Sequence, residues 1–185
     1  MRKAQLSLSM LLNDCKYGYS AEGSTLKLSL IKCATYPNKE ADQGRHHFTY
    51  SLLPHFGDFK TGGTVREAYL LNNPLIAQSI PAQQGTLPDS YSLISCRNEN
   101  VVIETVKRAE DSEDIIVRLY ECFNRSGKIT IDTGFDFAQA YICDLNENNI
   151  AEAETVGRSI TAYVKGYEIV TVKIGGYMHG KAFGR

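Results

Sequence analysis

Ile115-Ile116-Val117-Arg118-Leu119-Tyr120 and, beyond the turn residues Ser126-Gly127, Ile129-Thr130-Ile131 carry the clearest structural pattern of this chain. In both stretches an aliphatic residue returns at every second position. A period of two is typical of a β-strand, because successive side chains of a strand point to opposite faces of the sheet. Both segments are therefore predicted to be strands of a sheet with one buried face.

Similar patterns recur along the rest of the chain, and together they predict about nine or ten strands. Short clusters of Asn, Asp, Glu, Gly and Ser separate them, as at residues 21–24, 98–100, 110–114 and 146–149. Long helices do not alternate with the strands, which excludes a parallel α/β sheet and predicts an all-β fold, an antiparallel β-sandwich. The further predicted strands are residues 26–30, 47–53, 91–95, 101–106, 140–145, 159–164 and 167–174, and residues 6–12 also alternate.

One short helix is predicted to begin at Thr64. The spacing Thr64-x-x-Glu67 matches a capping box, in which the hydroxyl and the carboxylate each accept a bond from a backbone amide of the first turn. The helix is expected to end before Pro74, because proline disfavours helical geometry in the residue that precedes it.

The length of 185 residues is sufficient for one domain with a real core, which we place at residues 1–174. Residues 175–185 are rich in glycine and are predicted to be a flexible tail. Residues 78–90 are predicted to form a long exposed loop.

Charge and cysteine content exclude several classes of function. The chain has 20 Lys and Arg against 21 Asp and Glu, so no net charge favours nucleic acid or an anionic membrane. No apolar run approaches the length of a spanning helix. Five widely separated cysteines, none in a CxxC pair, indicate free thiols in a reducing compartment. We therefore expect a cytoplasmic protein that contacts neither nucleic acid nor membrane.

A search for chemical motifs finds no catalytic residues and no metal ligands. The histidines at 46, 47, 55 and 179 do not form a recognised zinc motif. Glu40 and Asp42 flank a turn, where a solvated or capping role is the simpler interpretation. Several tyrosines would suit a platform for sugar rings, but the chain has no Trp, which makes a dedicated carbohydrate-binding module the less favoured interpretation.

Several stretches of the sequence resemble, in the same order, the C-terminal β-domain of α-mannosidases of glycoside hydrolase family 38, of the bacterial type. The similarity covers residues 11–174. The stretches that carry it are Leu12-Asn13-Asp14-Cys15-Lys16-Tyr17-Gly18-Tyr19, Glu40-Ala41-Asp42-Gln43-Gly44-x-His46-x-Phe48-Thr49-Tyr50, Pro54-His55, Glu67-Ala68-Tyr69-x-Leu71-Asn72-Asn73-Pro74, residues 100–111 and 116–121, and Tyr167-Glu168-Ile169-x-Thr171.

The resemblance implies a portion of a galactose-mutarotase-like supersandwich without catalytic groups. In the family, the zinc ion, the nucleophile and the acid/base carboxylate lie in an N-terminal (β/α) barrel, followed by a helical bundle. A barrel alone needs about 250 residues. A start at Met1, just before the residues that carry the resemblance, suggests an expressed fragment or a truncated reading frame. The chain is therefore expected to be no enzyme by itself and to hold no cofactor, while the complete protein hydrolyses α-mannosides with zinc. The barrel and the helical bundle are the expected partners.

Within this interpretation, residues 36–50 are predicted to line the rim of the substrate cleft. Asp42, Gln43, Arg45 and His46 are the candidate substrate-binding residues, because fixed polar groups near a sugar orient its hydroxyls. The alternative is that the same residues pair with the barrel in an interface. A stand-alone sugar-binding module is the competing function, and self-association of an orphaned domain is a further expectation.

Overall fold

The computed structural model describes residues 7–82, 84–85 and 88–176. They form two compact units, which we call unit one, within Met1–Ile80, and unit two, within Pro81–Arg185. The boundary falls inside the segment 78–90 that the sequence predicts to be an exposed loop. The single domain over residues 1–174 stays a prediction. Of the predicted tail, Gly175 belongs to a strand, and residues 177–185 lie outside the described residues.

From residue 7 onward, where the structure describes it, unit one contains four strands and the helix. Its elements are β1 (Ser7–Asn13), β2 (Tyr19–Glu22), β3 (Thr25–Leu28), β4 (Tyr50–Phe56) and α1 (Thr64–Asn72). Strands β1 and β4 pair antiparallel in continuous register from Ser7↔Phe56 to Asn13↔Tyr50, and β2 and β3 form a separate hairpin. Unit one therefore has two separate two-stranded sheets, and two strands alone are marginally stable in water.

The described part of unit two contains nine strands in two antiparallel sheets. Its elements are β5 (Ile94–Cys96), β6 (Val101–Arg108), β7 (Ile115–Glu121), β8 (Gly127–Thr133), β9 (Gln139–Cys143), β10 (Asn149–Glu152), β11 (Glu154–Val156), β12 (Ser159–Val164) and β13 (Ile169–Gly175). One sheet has five strands in the order β10-β9-β13-β7-β6, and the other has four in the order β11-β12-β8-β5.

The core of unit two lies between these two sheets. Leu119 and Val172 from the five-stranded sheet and Ile131, Ile160 and Val164 from the four-stranded sheet belong to one cluster of buried side chains. These residues follow the period of two that the sequence shows, so the alternation places one set of side chains in the core. Burial of aliphatic side chains on facing sheets is the main favourable contribution to a sandwich.

Sharp turns join neighbouring strands, and the turn between β11 and β12 shows what their residues provide. Val156 pairs with Ser159, so only Gly157 and Arg158 connect the strands. Gly157 has φ +60°, a conformation that suits glycine because it has no Cβ. A two-residue turn of this kind matches the twist of the strands and fixes their register.

The structure confirms an antiparallel all-β fold with one short helix, and it corrects two local predictions. The helix begins at Thr64 and ends at Asn72, as predicted, but the capping box is absent. Its N-cap is Gly63, whose carbonyl accepts from the Glu67 amide at 3.0 Å, so Thr64 lies one position inside the helix. The strand predicted to start at residue 47 starts at Tyr50. Among the described residues, none forms a helix with the length and hydrophobicity that crossing a bilayer demands.

Truncating a core residue is expected to destabilise unit two. Leu119 is fully buried, so Leu119→Ala should lower the free energy of unfolding by about 3 kcal/mol through lost burial and a residual cavity. Val156 is 74% exposed, and Val156→Ala should change it by less than about 0.5 kcal/mol. Urea unfolding followed by far-UV circular dichroism compares them. Equal effects would contradict the placement of Leu119 in the core.

Candidate functional site

The predicted site residues lie in the long irregular segment between β3 and β4 of unit one. Asp42 is the most constrained of them. Its carboxylate accepts the backbone N–H of Cys33 at 2.6 Å, and its carbonyl oxygen accepts from Nε2 of His46 at 2.9 Å. Cys33 has φ +55°, a conformation that few non-glycine residues adopt. Asp42 thus links two parts of the segment and has a structural role.

The structure brings Asp42 and His46 together and leaves Gln43 and Arg45 exposed on the same segment. The backbone N–H of Gln43 donates to the Glu40 carbonyl at 3.1 Å, which closes a turn around Ala41. Asp42 is partly buried and the side chain of His46 is exposed. The segment therefore presents polar side chains to solvent from a backbone held by local hydrogen bonds.

Strand β4, which follows this segment, presents an apolar face. Tyr50, Leu52 and Phe56 are 57%, 62% and 63% exposed, and they lie on one face because they are two or four residues apart. Of the described side chains of unit one, only Leu12 is buried. Unit one therefore exposes apolar residues that a self-sufficient domain would enclose.

Unit one also contains a cavity of about 390 Å³ beside β1. Residues of β1, of the β2–β3 hairpin and of α1 line it, among them Met10, Leu26 and Ala68. Two buried polar atoms of this unit, Nε2 of His55 and Oγ1 of Thr64, have no hydrogen-bond partner within the described residues. Unpaired buried polar atoms and an open cavity both indicate incomplete packing.

Among the described residues, no three His, Cys, Asp or Glu side chains lie together in a group that could hold a metal ion. His55 Nδ1 donates to the neighbouring carbonyl of Phe56 at 3.3 Å, and the ring packs against Gly62. His55 is therefore a strand histidine with a local hydrogen bond.

In unit two, sequence reasoning missed a buried carboxylate, that of Glu121, which is 1% exposed. Oε1 accepts from Nδ2 of Asn100 at 2.9 Å and from the N–H of Phe123 at 2.8 Å, and Oε2 accepts from the N–H of Tyr167 at 2.9 Å. The backbone N–H of Arg125 also bonds to this carboxylate. One side chain therefore connects the turns before β6, after β7 and before β13.

The pKa of Glu121 reflects the balance of burial and hydrogen bonding. Burial raises the pKa, but the bonds from Tyr167, Asn100, Phe123 and Arg125 outweigh it and lower the pKa to about 2 from an ordinary value of 4.5. A signal for this residue exists in the sequence, since Glu121 continues the buried phase of Val117 and Leu119. A carboxylate at a core position is stable only when hydrogen bonds satisfy it.

A second acidic side chain, Glu147, organises the turn between β9 and β10. It is buried, its carboxylate contacts Lys107 Nζ at 2.8 Å, and it accepts the N–H of Glu110 at 2.9 Å. The side-chain bond from Lys107 and the amide of Glu110 lower the pKa of Glu147 below its ordinary value. Lys107 also pairs with the Glu110 carboxylate. These contacts join loops of the five-stranded sheet.

Residues 100–172, all in unit two, match the model of the glycosyl hydrolases family 38 C-terminal β-sandwich domain. Unit two therefore contains a C-terminal β-sandwich domain of glycoside hydrolase family 38. The match confirms the β-sandwich domain that the resemblance implies. Because Glu121 and Glu147 both lie within the matched range, their buried networks belong to the family 38 domain.

Three relatives show how far the similarity extends. Human α-mannosidase 2C1 is 43% identical over 140 residues, which are 74% of this chain and 13% of the relative. Dictyostelium discoideum α-mannosidase G is 40% identical over 114 residues, which are 61% of this chain and 10% of the relative. The Saccharomyces cerevisiae α-mannosidase is 29% identical over 162 residues, which are 80% of this chain and 15% of the relative. All three relatives come from eukaryotes, so they give no support to the expected bacterial type.

The chain spans about one eighth of the length of the human relative. The alignment of 140 residues is longer than the 105 positions of Pro81–Arg185, so it extends into unit one. Parts of both units therefore lie in the region that this chain shares with the human α-mannosidase.

The Glu121 network predicts a dependence of stability on pH. Since its folded pKa lies below the unfolded value, its contribution is complete above pH 5 and is lost as the pH falls toward 2, by as much as about 3 kcal/mol. Glu121→Gln should remove this part of the pH dependence and lower stability at pH 7. Urea unfolding at pH 7, 5, 4 and 3 measures both effects.

Glu152→Gln provides the matched control, because the same chemical change occurs on an exposed strand residue. It should leave the stability at pH 7 within about 0.5 kcal/mol of the unmodified chain. The structural role of Glu121 would be refuted by a Glu121→Gln variant that is as stable as the Glu152→Gln variant at pH 7.

Proposed function

We propose that this chain works as the non-catalytic β-domain of a longer family 38 α-mannosidase. In this proposal it supports the catalytic barrel and the helical bundle, while zinc and the catalytic carboxylates belong to that barrel. The complete protein hydrolyses α-mannosides in mannose or oligosaccharide metabolism. The observation that carries the proposal is the exposed apolar surface of unit one in a chain that spans 13% of its human relative.

The docking surface of this proposal is the β4 face, formed by Tyr50, Leu52 and Phe56. All three are large apolar residues in one row, and unit one has few buried residues to stabilise it. Burial of each such side chain against a partner would contribute about 1.5–3 kcal/mol. The occupant is the part of the family 38 polypeptide that lies outside the matched region. The cavity beside β1 and the unpaired atoms of His55 and Thr64 support the same conclusion.

The segment before β4 has the second role in the proposal. Gln43, Arg45 and His46 are exposed next to the docking strand, and Asp42 fixes the backbone that carries them. We infer that they line the rim of the mannoside cleft formed with the barrel. The competing assignment is polar pairing with the barrel itself. A mannoside bound to the complete protein beyond hydrogen-bonding distance of these side chains would favour the competing assignment.

The cysteines support a cytoplasmic location for the proposed protein. All five are free, and burial raises the pKa of the Cys122 and Cys143 thiols above the ordinary value. A higher pKa lowers the fraction of reactive thiolate. Free thiols are typical of proteins in a reducing compartment.

Disrupting the β4 face should weaken assembly in the longer α-mannosidase. Leu52→Asp with Phe56→Asp places two charges on the docking surface, so we expect at least about a tenfold loss of activity with nitrophenyl α-mannoside, or release of unit one to limited proteolysis. Ser51→Asp is the matched control, since Ser51 is exposed on the opposite face of the same strand. Equal activity of the double variant and the control would contradict docking through this face.

The 185-residue chain by itself should have no mannosidase activity. It should release no nitrophenol from nitrophenyl α-mannoside with or without added zinc, whereas the longer protein should show zinc-dependent release. Calorimetry with mannose and manno-oligosaccharides should detect no binding to the isolated chain. Measurable sugar binding would favour the stand-alone carbohydrate-binding module, and analytical ultracentrifugation would show whether the exposed face drives self-association.

A further inference from the structure

A polar cavity of about 190 Å³ lies in unit two at one end of the four-stranded sheet. Two turns line most of it, through Asn98 and Asn100 before β6 and through residues 125–128 at the start of β8. Ile129 and Val164 form its apolar base. The cavity is therefore built entirely from the sandwich and takes no part in the function proposed above.

The backbone of β8 provides a donor to this cavity. Strand β5 pairs only with residues 131–133 of β8, so residues 127–130 have no strand on that side. The N–H of Thr130 donates to Oδ1 of Asn98 at 3.3 Å, which shows that it points away from β12. Because N–H directions alternate along a strand, the N–H of Lys128 points the same way, toward the cavity. At Thr130, the Asn98 side chain thus takes the place of a neighbouring strand. The Lys128 N–H has no strand beside it and remains open to a ligand.

Side chains around this amide add further donors. Arg125 stacks its guanidinium over the Phe123 ring at 5.8 Å, and its backbone N–H is fixed by the buried Glu121 carboxylate. Oγ of Ser126 accepts the N–H of Gly166 at 3.2 Å, which leaves its own hydroxyl proton to donate. Oδ1 of Asn98 accepts the Thr130 N–H, so the side-chain Nδ2 of Asn98 points away from Thr130. The turn geometry therefore holds several donors around one small space.

The charges near the cavity favour an anion. Arg125 and Lys128 line the cavity and bring two positive charges. Two acidic residues lie nearby: Glu99 is in the turn between Asn98 and Asn100 but does not line the cavity, and Glu154 approaches Lys128 at 3.6 Å between two exposed side chains. Such an exposed pair is worth little energetically and exchanges readily. The Glu121 carboxylate is occupied by four donors. An oxyanion would find backbone and guanidinium donors together, the combination that anion sites of proteins use.

We propose that this cavity binds a phosphate group, either as inorganic phosphate or as a phosphate monoester. The Lys128 amide, the Arg125 guanidinium and the Ser126 hydroxyl donate to its oxygens. A cavity of about 190 Å³ accommodates one phosphate group with a few waters, each of which occupies about 30 Å³ in the liquid. It is too small for a peptide strand, and Asn98 already blocks strand addition at Thr130.

Nuclear magnetic resonance of the ¹⁵N-labelled 185-residue chain tests the proposal. Titration with inorganic phosphate at low ionic strength should shift the amide signals of residues 125–128 in a saturable way. Arg125→Gln should weaken binding about tenfold, because a charge-assisted bond to the anion is lost. Arg97→Gln is the matched control on an exposed arginine outside the cavity, and it should leave the affinity within about twofold.

A second variant keeps the test decisive if Arg125→Gln alters the fold. A Cβ added at Gly127 meets no atom within 4 Å, so Gly127→Ala should fold normally while its methyl group narrows the cavity and weakens phosphate binding. Saturable shifts with phosphate that Gly127→Ala and Arg125→Gln reduce would support the site. Absence of shifts at tens of millimolar phosphate, or equal losses for Arg97→Gln, would overturn it.

Comparison of ligands identifies the source of the phosphate. A hexose phosphate that binds at least about tenfold more tightly than inorganic phosphate would assign the site to a monoester, and equal affinities would assign it to free phosphate. Mannose without phosphate should leave the same amide signals unchanged. Shifts of residues 125–128 with mannose alone would contradict the proposal, because they would indicate recognition of sugar hydroxyls.

Discussion

The buried carboxylate of Glu121 is the constraint on which one end of the sandwich depends. A charge in a core is stable only if donors surround it, and here the donors come from three turns that are far apart in sequence. Asn100 precedes β6, Phe123 follows β7, and Tyr167, with φ +59°, precedes β13. Satisfying one carboxylate therefore fixes where three strands begin or end, and it places Arg125 and Ser126 beside the small cavity.

The two units differ in how their residues are stabilised. Unit two encloses aliphatic residues between two sheets, and Glu121 and Glu147 attach its loops to the strands. Unit one has two-stranded sheets, a single buried described side chain and an apolar face on β4. The similarity to human α-mannosidase 2C1 extends over parts of both units, so this difference in burial falls within one region of sequence similarity.

The sequence was most informative where burial imposes a regular pattern. Ile115 to Tyr120 and Ile129 to Ile131 alternate because one face is in the core, and both lie in strands. Strand β10 (Asn149–Glu152) and strand β11 (Glu154–Val156) were not predicted, because their residues are exposed and their pairing depends on neighbouring strands. The capping box failed because Gly63 adopts the capping position one residue earlier, a difference in backbone conformation that the spacing does not reveal.

The candidate site was predicted less completely, for a related physical reason. The sequence placed Asp42, Gln43, Arg45 and His46 on one segment, but the bond from Cys33 to Asp42 joins residues nine positions apart and leaves no local signature. The Glu121 and Glu147 networks depend on contacts across 46 and 37 positions of sequence. The sequence shows that these side chains are carboxylates, but only the fold shows which backbone N–H groups they accept.

The unequal burial of the two units also determines how the isolated chain fluctuates in solution. Amides in the sandwich strands open only when the core separates, whereas amides of β1 and β4 open through local motion that exposes little additional apolar surface. Hydrogen exchange should therefore divide the chain near residue 80. A thermal transition of this chain reports the cooperative loss of unit two, so one melting temperature would not describe the whole polypeptide.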